Sequence, residues 1–157
     1  MKKILGFALI LIVIIFAGCA TSSGQRQAAN VSFSDIAEKE WKLTEVWING
    51  KNSGFTRNAI AAEGFGEAFT LTFGSEMVSG VGAPNRYSAP YSLGQERAIT
   101  IQMVRSTLMA AIFEPQTLKE HDFFNYIQNV NKWNLAGNKL ELLSKNTNGE
   151  TVLLVFN

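Results

Sequence analysis

The chain has 157 residues, and its 14 basic and 13 acidic side chains give a formal net charge of +1. No stretch carries more than two adjacent like charges, which argues against nucleic-acid binding and against an electrostatic membrane-binding surface. The single cysteine and the single histidine exclude an internal disulfide and metal sites built on several thiolates or imidazoles. Stability must therefore come from packing, for which 11 Phe, three Trp and three Tyr are present.

Residues 1–18 predict a signal peptide, because a positive start is followed by a short apolar run that ends in the small pair Ala17-Gly18. Cys19 comes directly after that pair. This order resembles the lipobox of bacterial lipoprotein signals, with Phe16 where leucine is usual. The resemblance implies cleavage before Cys19, a lipid thioether on its sulfur and an acylated amine. We therefore predict Cys19 as the lipid-attachment site.

Two alternatives to a lipoprotein signal stay open, namely an uncleaved membrane anchor and an ordinary secretion signal. The apolar run is about 14 residues long, which is short of the roughly 20 that a spanning helix needs. Three acyl chains would anchor the chain stably without such a helix. The predicted location is the cell envelope. The outer membrane is favoured because Ala20 stands where some bacteria place an Asp for inner-membrane retention.

Residues 19–30 predict a lipidated, flexible tether, since Ser, Gly, Gln and Ala dominate and no large apolar side chain is present. The remaining chain, 31–157, has the length of one domain with one hydrophobic core. Three parts are thus predicted: a signal peptide, a tether and one folded domain.

Alternation of apolar and polar residues predicts several short strands in the first part of the domain. They are expected at 41–48, 69–73, 77–80 and 99–103. Asn49-Gly50, after the first strand, is the preferred pair for a type I′ turn. Residues 51–66 are expected to form a long loop with a short helix at 58–62, because three glycines interrupt them.

Helical periodicity is clear only at 115–130, where Pro115 would occupy the first turn. Strands are expected to follow at 132–135, 139–144 and 150–156, and the last is predicted to be central because both of its faces are apolar. Many short strands and one late helix predict a mainly β fold of the α+β type. It would be a single curled antiparallel sheet, or barrel-like domain, with one helix in the C-terminal half.

Short motifs throughout the domain resemble the META domain of HslJ-like bacterial lipoproteins over residues 38–156. They are Trp41-Lys42-Leu43, Ser79-Gly80, Asn85-Arg86-Tyr87, Tyr91, Ser106-Thr107-Leu108-Met109, Trp133 and 137–142. The pattern departs at Pro84 and at Ala110-Ala111, where family members often carry two cysteines. If those cysteines pair in relatives, this chain must hold its loop at 80–91 without the crosslink.

Five motif positions form the candidate site: Gly80, Asn85, Arg86, Tyr91 and Thr107. An Asn organises tight turns through its amide, and an Arg can donate to several carbonyls at once. A Tyr can bury its ring while its hydroxyl bonds a partner. Two interpretations follow: a structural brace, which we favour, or a polar recognition site on a rigid loop.

The side chains that could perform catalysis do not form a catalytic motif. His121 is expected to face solvent, and Ser106 has no nucleophile elbow around it. We therefore predict that the protein is not an enzyme, and that it uses no metal and no cofactor besides the lipid on Cys19. Phe55 and Phe65 are predicted to contact an apolar ligand or a partner.

The family resemblance implies a membrane-anchored envelope lipoprotein whose META domain is a structural or interaction factor, with a role in envelope stress. The expected partners are the membrane, through the lipid, and an envelope protein of unknown identity; nucleic acid is not expected. The alternative is a carrier or pilot-type protein that binds an apolar ligand or a hydrophobic client segment.

Overall fold

The computed structural model describes residues 31–157. The predicted signal peptide, Cys19 and the tether lie outside the described residues. Within 31–157, no helix has both the length and the apolar character that crossing a membrane requires. Strands dominate this part of the chain, which confirms the mainly β class.

The described chain consists of ten strands, two α-helices and two 3₁₀ turns, the latter at Phe33–Asp35 and Gln95–Arg97. Its first half holds β1 (Trp41–Ile48), β2 (Lys51–Asn52), α1 (Arg57–Ala62), β3 (Thr70–Phe73), β4 (Met77–Val81) and β5 (Arg86–Leu93). Its second half holds β6 (Ile99–Ile101), β7 (Arg105–Ser106), α2 (Glu120–Gln128), β8 (Lys132–Ala136), β9 (Lys139–Lys145) and β10 (Thr151–Phe156).

The strands form one antiparallel sheet in the order β6-β5-β4-β3-β1-β10-β9-β8, with the short strands β2 and β7 paired to β1 and β5. The two edges of this sheet approach each other. Ala98 forms an isolated bridge with Lys132, and the Ile99 amide donates to the Asn131 carbonyl at 3.1 Å. The sheet is therefore a nearly closed barrel, which confirms the barrel-like form with a helix in the C-terminal half.

The interior of the barrel is filled by its own side chains. Three alternate residues of β10 are completely buried, and the strand lies between β1 and β9, which confirms its central position. Phe69 meets Phe55 and Phe123 edge to face, with ring centroids 5.9 and 5.0 Å apart. Burying one such side chain contributes about 1.5–3 kcal/mol relative to leaving it in water, so these rings are a main source of stability.

The two ends of the barrel are closed in different ways. Strand β4 runs from the connection at 74–76 to the turn at 82–85, so these two segments mark opposite ends. At the end with 74–76, here named the entry end, Phe33 packs on rings from β3, β5 and β8 at centroid distances of 5.2, 5.5 and 5.4 Å. At the end with 82–85, here named the helix end, the turn meets the start of α2. The described chain therefore begins at the entry end.

Helix α2 begins at Glu120, so the predicted start at Pro115 is wrong. Pro115 and Leu118 are buried within an irregular segment, and Lys119, the N-cap, has extended backbone angles of φ −77° and ψ 146°. Leu118 supplied part of the apolar periodicity that predicted the longer helix. Tertiary burial of an irregular segment produced the same spacing as a helical stripe.

Residues 86–93 form β5, whereas the sequence predicted them to lie mostly in a loop. A proline within a strand has no amide to donate to the ladder. In the structure the Pro90 carbonyl still accepts from the Gln102 amide at 2.9 Å. The strand predicted at 99–103 is shorter than expected, since β6 ends at Ile101.

The segment after β1 agrees with the sequence more closely. Asn49 and Gly50 have φ values of 48° and 75°, as a type I′ turn requires. Helix α1 confirms the short helix expected near 58–62. Only β2, a two-residue strand paired with β1, interrupts the segment predicted as loop.

Candidate functional site

Asn85 is the centre of a buried polar network at the helix end. Its side chain is 7% exposed, and its Nδ2 donates to Glu120 Oε2 at 2.7 Å and to the Met109 carbonyl at 3.2 Å. Its Oδ1 accepts from Thr107 Oγ1 and from the Met109 amide, both at 2.7 Å. Every hydrogen-bonding position of the amide is therefore used, which fixes its orientation.

The Asn85 side chain continues the sheet beyond the last residue of β7. It both donates to and accepts from the Met109 backbone, as a residue of a neighbouring strand does in an antiparallel pair. The Thr107 amide donates to the Arg86 carbonyl at 3.0 Å, which is the preceding step of the same ladder. The segment 105–109 is thus held to β5 first by backbone and then by a side-chain amide.

Glu120 joins this network to helix α2. Its Oε1 accepts from the amides of Ala83 and Asn85, at 2.5 and 2.6 Å. A carboxylate in the first turn is also favoured by the helix dipole. The sequence did not identify Glu120, because the predicted helix start at Pro115 placed it in the helix interior. An acidic residue there has no free helix N-terminus to interact with.

Two glycines allow the close approaches around the network. A Cβ on Gly80 would lie 2.0 Å from the Thr70 carbonyl oxygen, so β4 needs glycine there to pass β3. A Cβ on Gly82 would lie 2.5 Å from Glu120 Oε1. Gly80 therefore has a packing role near the helix end, while Gly82 makes room for the carboxylate.

The tyrosines of β5 bond backbone carbonyls on opposite parts of the barrel. The Tyr91 hydroxyl donates to the Gly74 carbonyl at 2.6 Å, at the entry end and away from Asn85. The Tyr87 hydroxyl donates to the Thr70 carbonyl at 2.9 Å, and complete burial raises the pKa of Tyr87 far above its ordinary value. Burial, and to a lesser extent Glu38, raises the pKa of Tyr91. The structure therefore brings Asn85 and Thr107 together but separates Tyr91 from them.

The guanidinium of Arg86 does not bind carbonyls in the described chain, contrary to the sequence prediction. Arg86 is exposed, and it contributes only its backbone to the network. The carbonyl-binding fork belongs instead to Arg57, whose Nη1 donates to the Ala68 carbonyl at 2.6 Å and whose Nη2 donates to the Phe69 carbonyl at 3.3 Å. Burial lowers the pKa of Arg57. An arginine at the start of a six-residue helix gave no sequence signal for this role.

Phe55 is completely buried, so the prediction that it contacts a partner from the surface is wrong. The chain turns inward after β2, and the Phe55 ring packs on Phe69. Phe65 is half-buried and lines a surface groove of about 750 Å³ together with Ile112 and Phe113. Of the two predicted contact residues, only Phe65 is available at the surface.

The titratable side chains near the helix end are occupied by local contacts. His121 is exposed, and its Nε2 lies 2.9 Å from Asn125 Nδ2. Glu63 accepts from the Gln116 amide at 2.9 Å. Within 31–157, no group of three or more His, Cys, Asp or Glu side chains is arranged to hold a metal ion. The contacts around Asn85 join the turn at 82–85, the segment after β7 and the start of α2.

Residues 108–113, which follow β7, carry several exposed apolar side chains and are here named the apolar segment. Leu108, Ile112 and Phe113 are 98%, 87% and 78% exposed. A second groove of about 370 Å³ lies between this segment and α2, with Phe124 and His121 in its lining. Leu108-Met109 belongs to a family motif, and residue type gave no sign that these apolar side chains would face solvent.

The fold and the network define a small antiparallel barrel that is braced at one end by an amide and the first carboxylate of a helix. The model of the META domain family matches residues 34–156, and the chain belongs to that family. An NMR structure of a protein from Burkholderia xenovorans is similar, with 19% identity, 79% of this chain and 85% of that chain covered, and a TM-score of 0.53.

A crystal structure of a DUF4847 family protein from Bacteroides vulgatus is also similar, with 15% identity and a TM-score of 0.54. The alignment covers 78% of this chain and 94% of that one. At these identities the two structures show a shared fold alone. No curated protein matches the chain.

Proposed function

We propose that this chain is a lipid-anchored lipoprotein of the bacterial envelope, in which a tether carries one non-catalytic META domain. The domain is proposed to be a structural or interaction factor, with the envelope-stress role that the family resemblance implies. Support for the anchor comes from the sequence, where Cys19 follows an apolar run and a small pair. Support for an interaction role comes from the surface of the domain.

The observation that carries the interaction role is the contrast between a filled interior and an exposed apolar segment. Phe55, Phe69 and Phe123 are completely buried in the core, whereas Leu108 and Phe113 are exposed to solvent. Exposed apolar side chains that are contiguous in a soluble domain are typical of contact surfaces. A domain that fills its own barrel and exposes such a segment is suited to binding at its surface.

The proposed anchor and the apolar segment would lie at opposite ends of the domain. The described chain begins at the entry end, where Phe33 packs, and the apolar segment is at the helix end beside Asn85. A flexible tether of twelve residues has a root-mean-square length of about 20 Å. Anchoring therefore holds the domain close to the membrane and raises its effective concentration towards other envelope proteins, while the tether leaves the helix end, opposite its point of attachment, free for contact.

Intact mass spectrometry of protein isolated from its native host tests the anchor. The expected mass is that of a chain beginning at Cys19 with a diacylglyceryl thioether and an acylated amine, found in the outer-membrane fraction. The Cys19→Ala variant is the matched control and should remain unacylated. An unmodified Cys19, or residues 1–18 still attached, would contradict the proposal.

The stress role predicts that a strain lacking the gene grows normally in rich medium but poorly under envelope stress.

A carrier of an apolar ligand is the second candidate, and the groove lined by Phe65, Ile112 and Phe113 favours it. Displacement of a fluorescent fatty acid from the full chain distinguishes the two functions. Saturable binding that is lost in Phe65→Ser would support a carrier. Leu93→Ser, a change at an exposed apolar residue at the end of β5 and outside this groove, is the control for non-specific effects. Absence of saturable binding in the parent chain would leave the interaction role as the better account.

A further inference from the structure

Strand β7 has an open edge at the helix end. Within 31–157 its only partner is β5. Because the Thr107 amide donates to the Arg86 carbonyl, the alternation of an antiparallel ladder turns the N–H and C=O of Ser106 away from β5. The same alternation turns those of Leu108 outward, since Met109 is bonded to Asn85. The edge at 106–108 therefore presents unpaired backbone groups to solvent.

Apolar surface lies directly beside this edge. Leu108, which follows β7 in the chain, is 98% exposed, and Met103, which precedes β7, is 73% exposed. The groove of about 370 Å³ between the edge and α2 has Leu108, Met109 and Phe124 in its lining. A strand that paired with the edge would place alternate side chains into this groove.

Two arginines place positive charge beside the β7 edge. Arg105 pairs with Ser88, and Arg86 lies two residues before Ser88 on the same strand, so both arginines lie on one face of the sheet. Both are exposed. Neither forms an ion pair with an acidic residue between 31 and 157. Their charge is available to a carboxylate on a partner.

We propose that the β7 edge binds an extended segment of a partner protein by β-strand addition. The segment carries apolar side chains at alternate positions, which enter the groove beside α2, and an acidic side chain that meets Arg86 and Arg105. Backbone hydrogen bonds from Ser106 and Leu108 give the binding energy, while the groove and the arginines select the sequence. This proposal specifies the partner contact of the proposed interaction role and rests on it.

Charge and position favour a protein segment over the two other possible occupants of this edge, a lipid surface and a second copy of the chain. Lipid cannot satisfy the outward N–H and C=O groups of Ser106 and Leu108, and these groups oppose insertion into hydrocarbon. The edge also lies at the end opposite Phe33, where the described chain begins. A second copy pairing edge to edge would bring the arginines of both copies together, which is unfavourable.

Hydrogen exchange of the acylated full chain in nanodiscs tests the proposal. The probe is a short synthetic peptide of alternating valine and threonine with a glutamate at each end, and its control is the same peptide with lysine at each end. The acidic peptide should slow exchange at the Ser106 and Leu108 amides by at least about tenfold, because a paired strand protects them. The lysine peptide should bind at least about tenfold more weakly, since it meets like charge.

Two sets of variants separate strand addition from adhesion to an apolar surface. Ser106→Pro removes an outward donor that the fold itself does not use, and it should abolish protection at Leu108, whereas Ser106→Ala should retain it. The double change Arg86→Glu with Arg105→Glu should reverse the preference between the two peptides. This charge exchange lies at the surface and stays informative if the proline variant fails to fold.

Four results would overturn the proposal. They are equal binding of both peptides, no protection of the parent chain at saturating peptide, protection without peptide that rises with protein concentration, and protection by nanodisc lipid alone. The third would indicate pairing of two copies, and the fourth a membrane contact. Failure of the anchor would appear instead in the mass of Cys19, and it would leave peptide binding unchanged.

Discussion

The entry end and the helix end of the barrel close the same sheet with different chemistry. At the entry end, Phe33 covers Phe73 and Tyr91 with ring contacts of 5.2 and 5.5 Å. At the helix end, Asn85 and Glu120 hold the turn at 82–85 and the segment after β7 through hydrogen bonds. One end depends on apolar area, and the other depends on the completeness of a polar network.

This difference determines how each end should respond to substitution. Apolar packing is non-directional, so a smaller apolar side chain loses area and leaves a cavity in proportion to the missing atoms. A buried polar network behaves otherwise, because removing one member leaves the other members unsatisfied. Loss at the entry end should therefore be graded, and loss at the helix end should be abrupt.

The largest effect is expected at the buried base of the entry end. Phe73→Ala should lower the free energy of unfolding by about 4 kcal/mol, since it removes a completely buried ring and leaves a cavity. Urea denaturation followed by circular dichroism measures the change. Phe113→Ala is the matched control, and its 78% exposure predicts a change below about 0.5 kcal/mol. Equal losses in the two variants would show that Phe73 is not part of the core.

A smaller but abrupt effect is expected at Asn85. Asn85→Ala should cost about 3 kcal/mol, because Glu120, Thr107 and Met109 each lose a partner. Asn85→Asp keeps the shape but sets a second carboxylate beside Glu120, so we expect it to be at least as destabilising. Asn138→Ala, at an exposed turn, is the control and should change stability by less than about 0.5 kcal/mol. A milder loss in Asn85→Asp than in Asn85→Ala would refute the assigned contacts.

A graded effect is expected at Phe33, which is half-buried. Phe33→Ala should cost about 2 kcal/mol and Phe33→Leu about 1 kcal/mol, since leucine retains part of the apolar area. Thermal unfolding of the two variants measures the difference. If Phe33→Leu were as unstable as Phe33→Ala, the stability of the entry end would depend on ring geometry and not on apolar area.

The smallest effect at neutral pH concerns Tyr87, and it grows in alkali. Its pKa is raised in the folded state, so its contribution is present below the unfolded pKa of about 10 and is lost as pH rises above it. The free energy of unfolding should fall by up to about 1.4 kcal/mol for each pH unit above 10 through this one group. Tyr87→Phe should lose about 1 kcal/mol at neutral pH, with its hydrogen bond to Thr70. That variant should also unfold less steeply with pH, and an unchanged slope would contradict the burial of this hydroxyl.

The sequence predicted those parts of the fold that depend on local pattern. Strands β1 and β10, the type I′ turn at 49–50 and helix α1 follow from alternation, turn residues and helix signals. The loop prediction for β5 and the early start of α2 were wrong, because the pairing of β5 with β4 and the burial of Leu118 depend on tertiary surroundings. Such surroundings are not encoded in a short window of sequence.

The candidate site was predicted in part. Asn85 and Thr107 were identified from a family motif, and the structure brings them into direct contact. Glu120 was missed because the predicted helix start placed it in the helix interior, away from the turn and the Asn85 amide that it binds. Arg57 was missed because its partners are backbone carbonyls, for which residue type gives no signal. Carbonyl binding was assigned to Arg86 because this residue belongs to a family motif. Arg57 forms those hydrogen bonds instead, and its position at the start of a helix does not indicate this role.

The pairing of the segment after β7 is the central claim, and amide hydrogen exchange of the partner-free protein tests it most directly. Thr107 and Met109 should exchange slowly, because one is bonded to the Arg86 carbonyl and the other to Asn85 Oδ1, while Ser106 and Leu108 should exchange fast. In Asn85→Ala the Met109 amide should become fast. Uniformly fast exchange over 106–109 would show that the segment is unpaired, and uniformly slow exchange would show that its outer edge is already covered; either result contradicts the account.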